Sequence, residues 1–462
     1  MMNGRQYRES LDDGRVTYFE GRRIDRLADE PVFQPVIDSI AATYDKHVHD
    51  GAVNAALAPP TSEADLREHI DTLLESDVLL NVTFFGQMAL LTAAGKLAKD
   101  YPELAERIYH YTDATQHADL RVTECITDAK GDRAKSPSAQ PDPEMYVRVV
   151  SRGADGVVIR GAKLHITAAS FCHHLIVMPT KAMKAGEEAY AIACAVPVNS
   201  PGVRIIDVTT APTGADTRHY PASRRKHMPD GFVILDDVFV PNEHIFLDGQ
   251  LKYAASFAHS LGLWERLGGT AHMVRQADEL VGMAQLIAEA NGLARASHVR
   301  DKIAEMLIHA TMLRAGLEAA IMHSEKTEAG FTFPNELFTN AAKYQGAANF
   351  SLMVRHLHDI AGGSVVTAPS IADLENPDVG AQIRKYMTGA GDADGTYRTR
   401  LFHAIRDVTA DSLGGWHHVT NVQSGGGLVA QRLVATAHYD LEGAKKLALE
   451  ANDLKPLGSS GH

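Results

Sequence analysis

The sequence predicts an α+β chain in three parts: a mainly helical N-terminal domain over residues 1–142, a middle β-barrel domain over 143–250 and a C-terminal helical bundle over 251–462. Three observations predict it. Apolar residues keep helical spacing to about residue 120, change to alternating, β-branched runs from Met145, and return to helical spacing beyond Gly249. The chain has 462 residues, more than the roughly 250 to 300 at which a single core stops growing. Pro, Gly and charged residues also break the middle part into short runs, as turns between strands do.

In the first part, Pro59-Pro60-Thr61-Ser62 precedes a helix predicted over 63–80, with Ser62 placed to cap its first turn and Glu63 and Asp65 to complement its dipole. The apolar run over 78–91 is broken by Asn81, Thr83 and Gln87. It falls short of the roughly 20 apolar residues that span a bilayer, so no membrane partner is expected. In the second part, runs over 146–150 and 157–161 flank a turn at Gly153 to Gly156 and read as a hairpin. Residues 175–178, 190–196, 203–208 and 232–240 read as further strands. In the third part, Leu280, Met283, Ala284 and Ile287 share one helix face, and Ile303, Met306, Leu307, Ala310 and Leu317 another. Asn291-Gly292 between them fits a helix end or a kink. The tail 458–462 is low in complexity.

Charge and cysteine usage exclude some function classes. The formal charge is -13 and the cations are scattered among carboxylates, so no nucleic-acid partner is expected, since phosphate recognition needs a clustered cationic face. Cys125, Cys172 and Cys194 form no C-x-x-C spacing and no even set, a poor framework for disulfides, zinc or iron-sulfur. The His pairs His173-His174 and His417-His418 are adjacent, and adjacent side chains diverge rather than converge on a metal. No metal site is expected. The polar, charged start has no secretory signal, and a soluble, cytoplasmic protein is the expectation.

Helices, then β domain, then bundle is the order of the acyl-CoA dehydrogenase-like fold. Shorter pieces add to it: residues 10–15, the loop Thr127 to Arg133, Asp142-Pro143 onward, 158–163, Ala195-Val196-Pro197, 236–241, Ala296-Ser297-His298-Val299 and Ile360-Ala361-Gly362-Gly363. In their order and spacing the chain resembles the family that contains 4-hydroxyphenylacetate 3-monooxygenase, the two-component flavin phenol hydroxylases and 4-hydroxybutyryl-CoA dehydratase. The resemblance implies FAD between the β domain and the bundle, with a neighbouring bundle completing the site in a homotetramer. It places the flavin at Thr127, Lys130, Asp132 and Arg133, at His165, Thr167, Ala168 and Ala169, and at Gly362, Gly363 and Ser424. The residue types suit that role: Gly131 permits a sharp turn, Lys130 or Arg133 can neutralise a phosphate or a reduced flavin, and the Thr167 hydroxyl can bond to the ring. A solvated turn explains the loop, and glycine at helix ends explains Gly362-Gly363 and Ser424-Gly425-Gly426-Gly427, on the structural alternative.

The residues beside the flavin depart from both known branches. The dehydratase branch holds an iron-sulfur cluster; its His and last Cys fall by resemblance on Glu265 and His272, and its C-x3-C helix reads here Asn81 to Met88 with no thiolate. No cluster is expected. Two of its acidic positions fall on Asp230 and Thr420. The phenol hydroxylases hold a phenolate with an Arg, a Tyr and a His, where this chain has Phe84, Phe85 and Glu124. A carboxylate there repels a phenolate and suits a cationic or amine-bearing substrate, or else pairs with a neighbouring cation. His272 is the preferred general acid or base, with Glu124 and Arg266 beside it as catalytic or substrate-contacting candidates. No nucleotide fingerprint of the G-x-G-x-x-G type appears in a βαβ unit. The expectation is therefore an FADH2-dependent monooxygenase that uses molecular oxygen on a small organic substrate and receives reduced flavin from a separate reductase. The alternatives are a cluster-free dehydratase or isomerase acting on an acyl thioester such as a CoA ester, and an inactive flavin-binding subunit.

Overall fold

The computed structural model describes residues 1–47, 53–209, 216–226 and 228–456, so the low-complexity tail lies outside the described residues. Helices α1 (Gly4–Ser10), α2 (Gln34–His47), α3 (Glu63–Leu74), α4 (Val78–Leu97) and α5 (Pro102–His117) lead the chain, with the short strands β1 (Thr17–Phe19) and β2 (Arg22–Ile24) among them. Strands β3 (Val122–Cys125), β4 (Arg148–Arg152), β5 (Gly156–Thr167), β6 (His174–Val177), β7 (Ile192–Pro197) and β8 (Val203–Val208) follow. Helix α6 (Ser223–Lys226) precedes β9 (Asp230–Pro241) and β10 (Ile245–Asp248). The rest is helical: α7 (Leu251–Ala290), α8 (Ser297–Met322), α9 (Glu336–Ala361), α10 (Ser364–Thr367), α11 (Ile371–Glu375), α12 (Gly380–Met387), α13 (Gly395–Thr409), α14 (Ser412–Gln423), α15 (Leu428–His438) and α16 (Leu441–Ala451). A two-strand ribbon, β11 (Glu325–Lys326) and β12 (Thr332–Phe333), joins α8 to α9.

Helix α3 starts as predicted, with Ser62 Oγ accepting from the Asp65 amide at 3.1 Å. It ends at Leu74, not at Leu80, because Asp77 opens a new helix by accepting the Leu80 amide at 3.0 Å, one of the donors a helix start leaves open. The resulting α4 has 20 residues and is apolar and long enough to cross a bilayer, contrary to the sequence expectation, yet nearly all of it is buried in protein. The three polar residues that interrupt it are spent inside. Asn81 donates to the Leu73 carbonyl at 3.1 Å, Thr83 to the Val122 carbonyl at 3.0 Å and Gln87 to Thr115 at 3.3 Å.

The strands form two sheets, β2-β1-β8-β9-β5-β4 and β10-β7-β6-β3, rather than one closed barrel. The predicted hairpin is β4–β5, antiparallel with Arg148 opposite Arg160 and closed by a bond from the Gly153 amide to the Gly156 carbonyl at 2.8 Å. Three strands join from before residue 143; β1 pairs with β8 and β3 with β6 in parallel. Strands of three or four residues are too short to show a period of two in the sequence. Val157, Ile159, Val233 and Leu235 of the first sheet meet Leu175, Val177, Cys194 and Val196 of the second in one core. The second sheet's other face, with Ile176, Ala193 and Ala195, packs on Phe84 and Met88 of α4 and Trp264 and Leu267 of α7. Alternation along each strand makes this layering possible.

Helix α7 serves two cores: its first half packs on α4 and the sheet, and its second half, through Leu280, Ala284 and Ile287, on α8, α9 and α13. Asn291-Gly292 is its end, with Gly292 at φ +70°. On α8, Ile303, Met306, Ala310 and Leu317 are buried as predicted, whereas Leu307 is 50% exposed and belongs to the outer face.

Candidate functional site

Strand β3 forms one edge of the second sheet. Its alternation turns Cys125 into the core between the sheets, and Val122, and with it Glu124, towards α4 and α7. Glu124 meets α4 at Gly86, where a Cβ would stand 3.1 Å from its Oε1. That oxygen is sealed from solvent and has no hydrogen-bond partner. Burial, and after it the charge of Glu265, pushes the Glu124 carboxyl well above the usual carboxylate range.

Glu265 comes from α7. Its Oε2 accepts from Ser424 Oγ at 3.3 Å, and Lys343 of α9 lies close enough to stabilise its charge, although burial still raises it overall. Lys343 is 1% exposed, donates to the Asn421 carbonyl at 2.6 Å, and is pushed down to about 8 by burial, against the pull of Glu265. Arg266 turns the other way: its Nε donates to the Gly425 carbonyl and its Nη1 to Asn340 Oδ1, both at 2.8 Å, and burial lowers it to about 10. An acid pair with one lysine therefore sits between β3, α4, α7, α9 and the turn after α14. Such a centre can hold and pass a proton or balance a ligand's charge.

The structure brings Glu124, Arg266 and Ser424 of the predicted residues to this centre. His272 lies seven residues after Glu265, about two turns along the same side of α7, and is half-buried. Glu265 was reached only through the resemblance, and Lys343, Asn340 and Asn421 were not singled out. Lys343 had a signal: it stands in the stripe Ala342, Gly346, Ala347, Phe350 of α9, where a lysine at apolar helical spacing must be buried.

The loop after β3 divides in two. Its inner end is locked: Asp128 pairs with Lys163 at 2.7 Å and accepts the Val147 amide at 2.9 Å, and the Thr127 carbonyl accepts from Leu164 at 2.8 Å. Its outer end is a solvated turn, in which Gly131 has φ +46° and a Cβ would fall 2.5 Å from Gln140 Oε1. Asp132 is spent within that turn, on the Ala134 amide and on Lys135. Between the two, Lys130 is lowered by burial and then by Arg133, against the pull of Asp128, with Lys163 and Lys181 adding. Neither Lys130 nor Arg133 has an ion-pair partner among the described residues. Two neighbouring cations without ion-pair partners fit a diphosphate.

On β5, His165 is exposed at φ +61° where the pairing with β9 shifts. The Thr167 hydroxyl donates to Asp230 at 2.9 Å, so its proton is not available to a ring. Trp416 Nε1 also donates to Asp230, at 3.2 Å, which ties the β region to the bundle at one dehydratase-branch position, while Thr420, the other, donates to the Trp416 carbonyl within its own helix at 2.8 Å. Ala168 and Ala169 are fully buried in the sheet core and offer a cofactor no surface in this chain. Gly362 and Gly363 end α9 nineteen residues past Lys343, about 28 Å along the helix, and do not join the centre. The three cysteines are sealed, with burial pushing Cys172 and Cys194 up to about 12 and Cys125 well above its usual range. They do not fit an iron-sulfur cluster, and no group of three or more His, Cys, Asp or Glu that could hold a metal occurs among the described residues.

The chain is 28% identical over 97% of its length to 4-hydroxybutyryl-CoA dehydratase/vinylacetyl-CoA-Δ-isomerase of Clostridium aminobutyricum, covering 98% of that protein. It is 27% identical over 86% of both chains to the oxygenase component of 4-hydroxyphenylacetate 3-monooxygenase from Thermus thermophilus. Among solved structures, an archaeal 4-hydroxybutyryl-CoA dehydratase from N. maritimus superposes with a TM-score of 0.88 at 25% identity, over 98% of this chain and 95% of that one. The oxygenase component of a 4-hydroxyphenylacetate 3-monooxygenase complexed with FAD shares the fold, with a TM-score of 0.86 at 24% identity over 98% and 99%. The models of the 4-hydroxyphenylacetate 3-hydroxylase N-terminal and C-terminal regions match residues 3–247 and 254–452. By those two matches, which together take in nearly all of it, the chain belongs to the 4-hydroxyphenylacetate 3-hydroxylase family, with an acyl-CoA dehydrogenase-like fold.

Proposed function

We propose that this protein is a flavin-dependent oxidoreductase, the oxygenase of a two-component monooxygenase, which hydroxylates or oxidises a small organic substrate with molecular oxygen and receives reduced FAD from a separate reductase. The fit of both halves of the chain to the hydroxylase family carries this reading. Within the family, the site favours the oxygenase branch, because its interior holds carboxylates and a lysine where a cluster needs thiolates.

FAD, when bound, supplies the redox chemistry. Lys130 and Arg133 would hold its diphosphate, and the Thr167, Asp230 and Trp416 contact closes the seam between the β region and the bundle. Phe84, Phe85 and Trp264, all buried, keep water from the acid centre. Glu124, Glu265 and Lys343 hold the protons that substrate oxidation releases or takes up, and His272 is a further acid-base group on the same side of α7. The protein works in the cytoplasm as a homotetramer; exposed Val429 and Leu433 on α15 and Leu441 and Leu447 on α16 support self-association.

Turnover with chemically reduced FAD, run with and without oxygen, tests the reading. Oxygenated product that forms only in air, with no reductase needed beyond the supply of reduced flavin, is expected; product without oxygen would sink it. A second reading, cluster-free dehydration or isomerisation of a CoA ester through FAD, draws on the 28% identity to the dehydratase. Oxygen-independent activity on a CoA ester would select it.

A further inference from the structure

No donor reaches Glu124 Oε1. On α4, Gly86 has no side chain, Phe85 has no donor, Thr83 donates to the Val122 carbonyl and Gln87 is turned to Thr115. Across the sheet, Glu124 stands opposite Ile176, which is apolar. Ser424 serves Glu265. Lys343 serves the Asn421 carbonyl and the charge of Glu265, and Arg266 serves Gly425 and Asn340. Lys343 thus answers Glu265, and the sealed oxygen of Glu124 lacks a partner.

A carboxylate oxygen sealed from water without a partner is costly when ionised. It is tolerated either protonated or facing a cation that something else brings. Burial and the charge of Glu265, which push the Glu124 carboxyl above the usual carboxylate range, favour the first state when no cation is present. The geometry points to a ligand that supplies the second: Glu124, backed by Glu265, is the seat of a protonated amine, and the substrate class is an organic amine rather than a phenolate or a carboxylate. The inference rests on the oxygenase reading only in naming the substrate of that flavin site. An anionic group placed against Glu124 would meet the charge of Glu265 beside it, and repulsion at contact distance in a shielded interior is severe. The aromatic side of α4, with Phe85 beside Gly86, suits the apolar part of such a ligand.

Three probes with one ring and different charge test this: benzylamine, benzyl alcohol and benzoate, titrated into the full-length protein loaded with oxidised FAD and followed by calorimetry and by the flavin absorbance. Benzylamine is expected to bind at least about tenfold tighter than benzyl alcohol, and benzoate weakest, a tenfold ratio being about 1.4 kcal/mol. E124Q should bring the ratio of benzylamine to benzyl alcohol to near one, E265Q should lower it, and E124D, which keeps the charge, should preserve it. If E124Q does not fold, E265Q against E124D reads the same charge dependence. Equal affinities, a preference for benzoate, no measurable benzylamine binding, or a preference that survives both glutamine variants would overturn the inference. None of these touches the oxygenase reading, which fails instead on an absence of FAD binding or on oxygen-independent product.

Discussion

Lys163 and Asp128 are 1% and 2% exposed and pair at 2.7 Å, with the Ile126 and Met178 carbonyls accepting further hydrogen bonds from the lysine. Asp207, also 2% exposed, has no such cation in contact. Burial pushes its carboxyl up to about 7, Asp230 adds to the push, and Ser170 and Arg15 only partly offset it. The unfolded chain releases this proton near the ordinary value of about 3.9. Between those two values the folded state holds a proton that the unfolded state has lost, so stability falls as pH rises, at up to about 1.4 kcal/mol per unit, and the full penalty is reached above the folded value. D207N removes the ionisation. Urea unfolding of the variant and the parent at about pH 5 and about pH 8 should show the variant gaining, on the order of 2 kcal/mol or more, at the higher pH relative to the lower. An unchanged difference between the two pH values would refute it.

At the scale of elements, the site depends on α4 and α7 lying almost in contact. A Cβ on Gly268 would stand 2.2 Å from the Phe85 ring, so only glycine lets α7 pass over that ring. G268A must push the helices apart or turn Phe85 from its edge-on contact with Phe84. A loss of about 1–3 kcal/mol in denaturant unfolding is expected, together with weaker FAD binding; parental stability would show that the helices have slack. This contact also marks the limit of what the sequence tells. The β4–β5 hairpin and strands β6, β8 and β9 were legible because their alternation and turns are local, and α7 and α8 because their apolar stripes are long. Strands β1, β2 and β3 were not, being too short, and the break at Asp77 was masked by apolar residues on both sides of a cap. For the site, Glu124 was legible as an odd carboxylate beside the flavin loop, but its meeting with Glu265 and Lys343 joins a strand and two helices far apart in sequence. Only packing brings them together.

At the scale of the whole molecule, Gly362 and Gly363 raise a question the single chain does not answer. They lie at the far end of α9, about 28 Å from Lys343 along the helix axis, well away from their own chain's acid centre. They would serve a flavin if another copy brought its site to them. The outer surface is suited to that: Leu433 of α15 and Leu447 of α16 are each 67% exposed, and α16 has no buried residue at all. Helices with such faces cost the monomer water-exposed apolar area that a second chain would cover. The double variant L433D/L447D should therefore sediment as a smaller species than the parent while keeping its helical circular dichroism. If the assembly also completes the cofactor site, the same variant should bind FAD at least about tenfold more weakly, a loss of about 1.4 kcal/mol or more, although neither residue belongs to the acid centre. A parent that is already monomeric would remove the assembly, and a dissociated variant with undiminished FAD affinity would leave Gly362 and Gly363 as no more than the end of a helix.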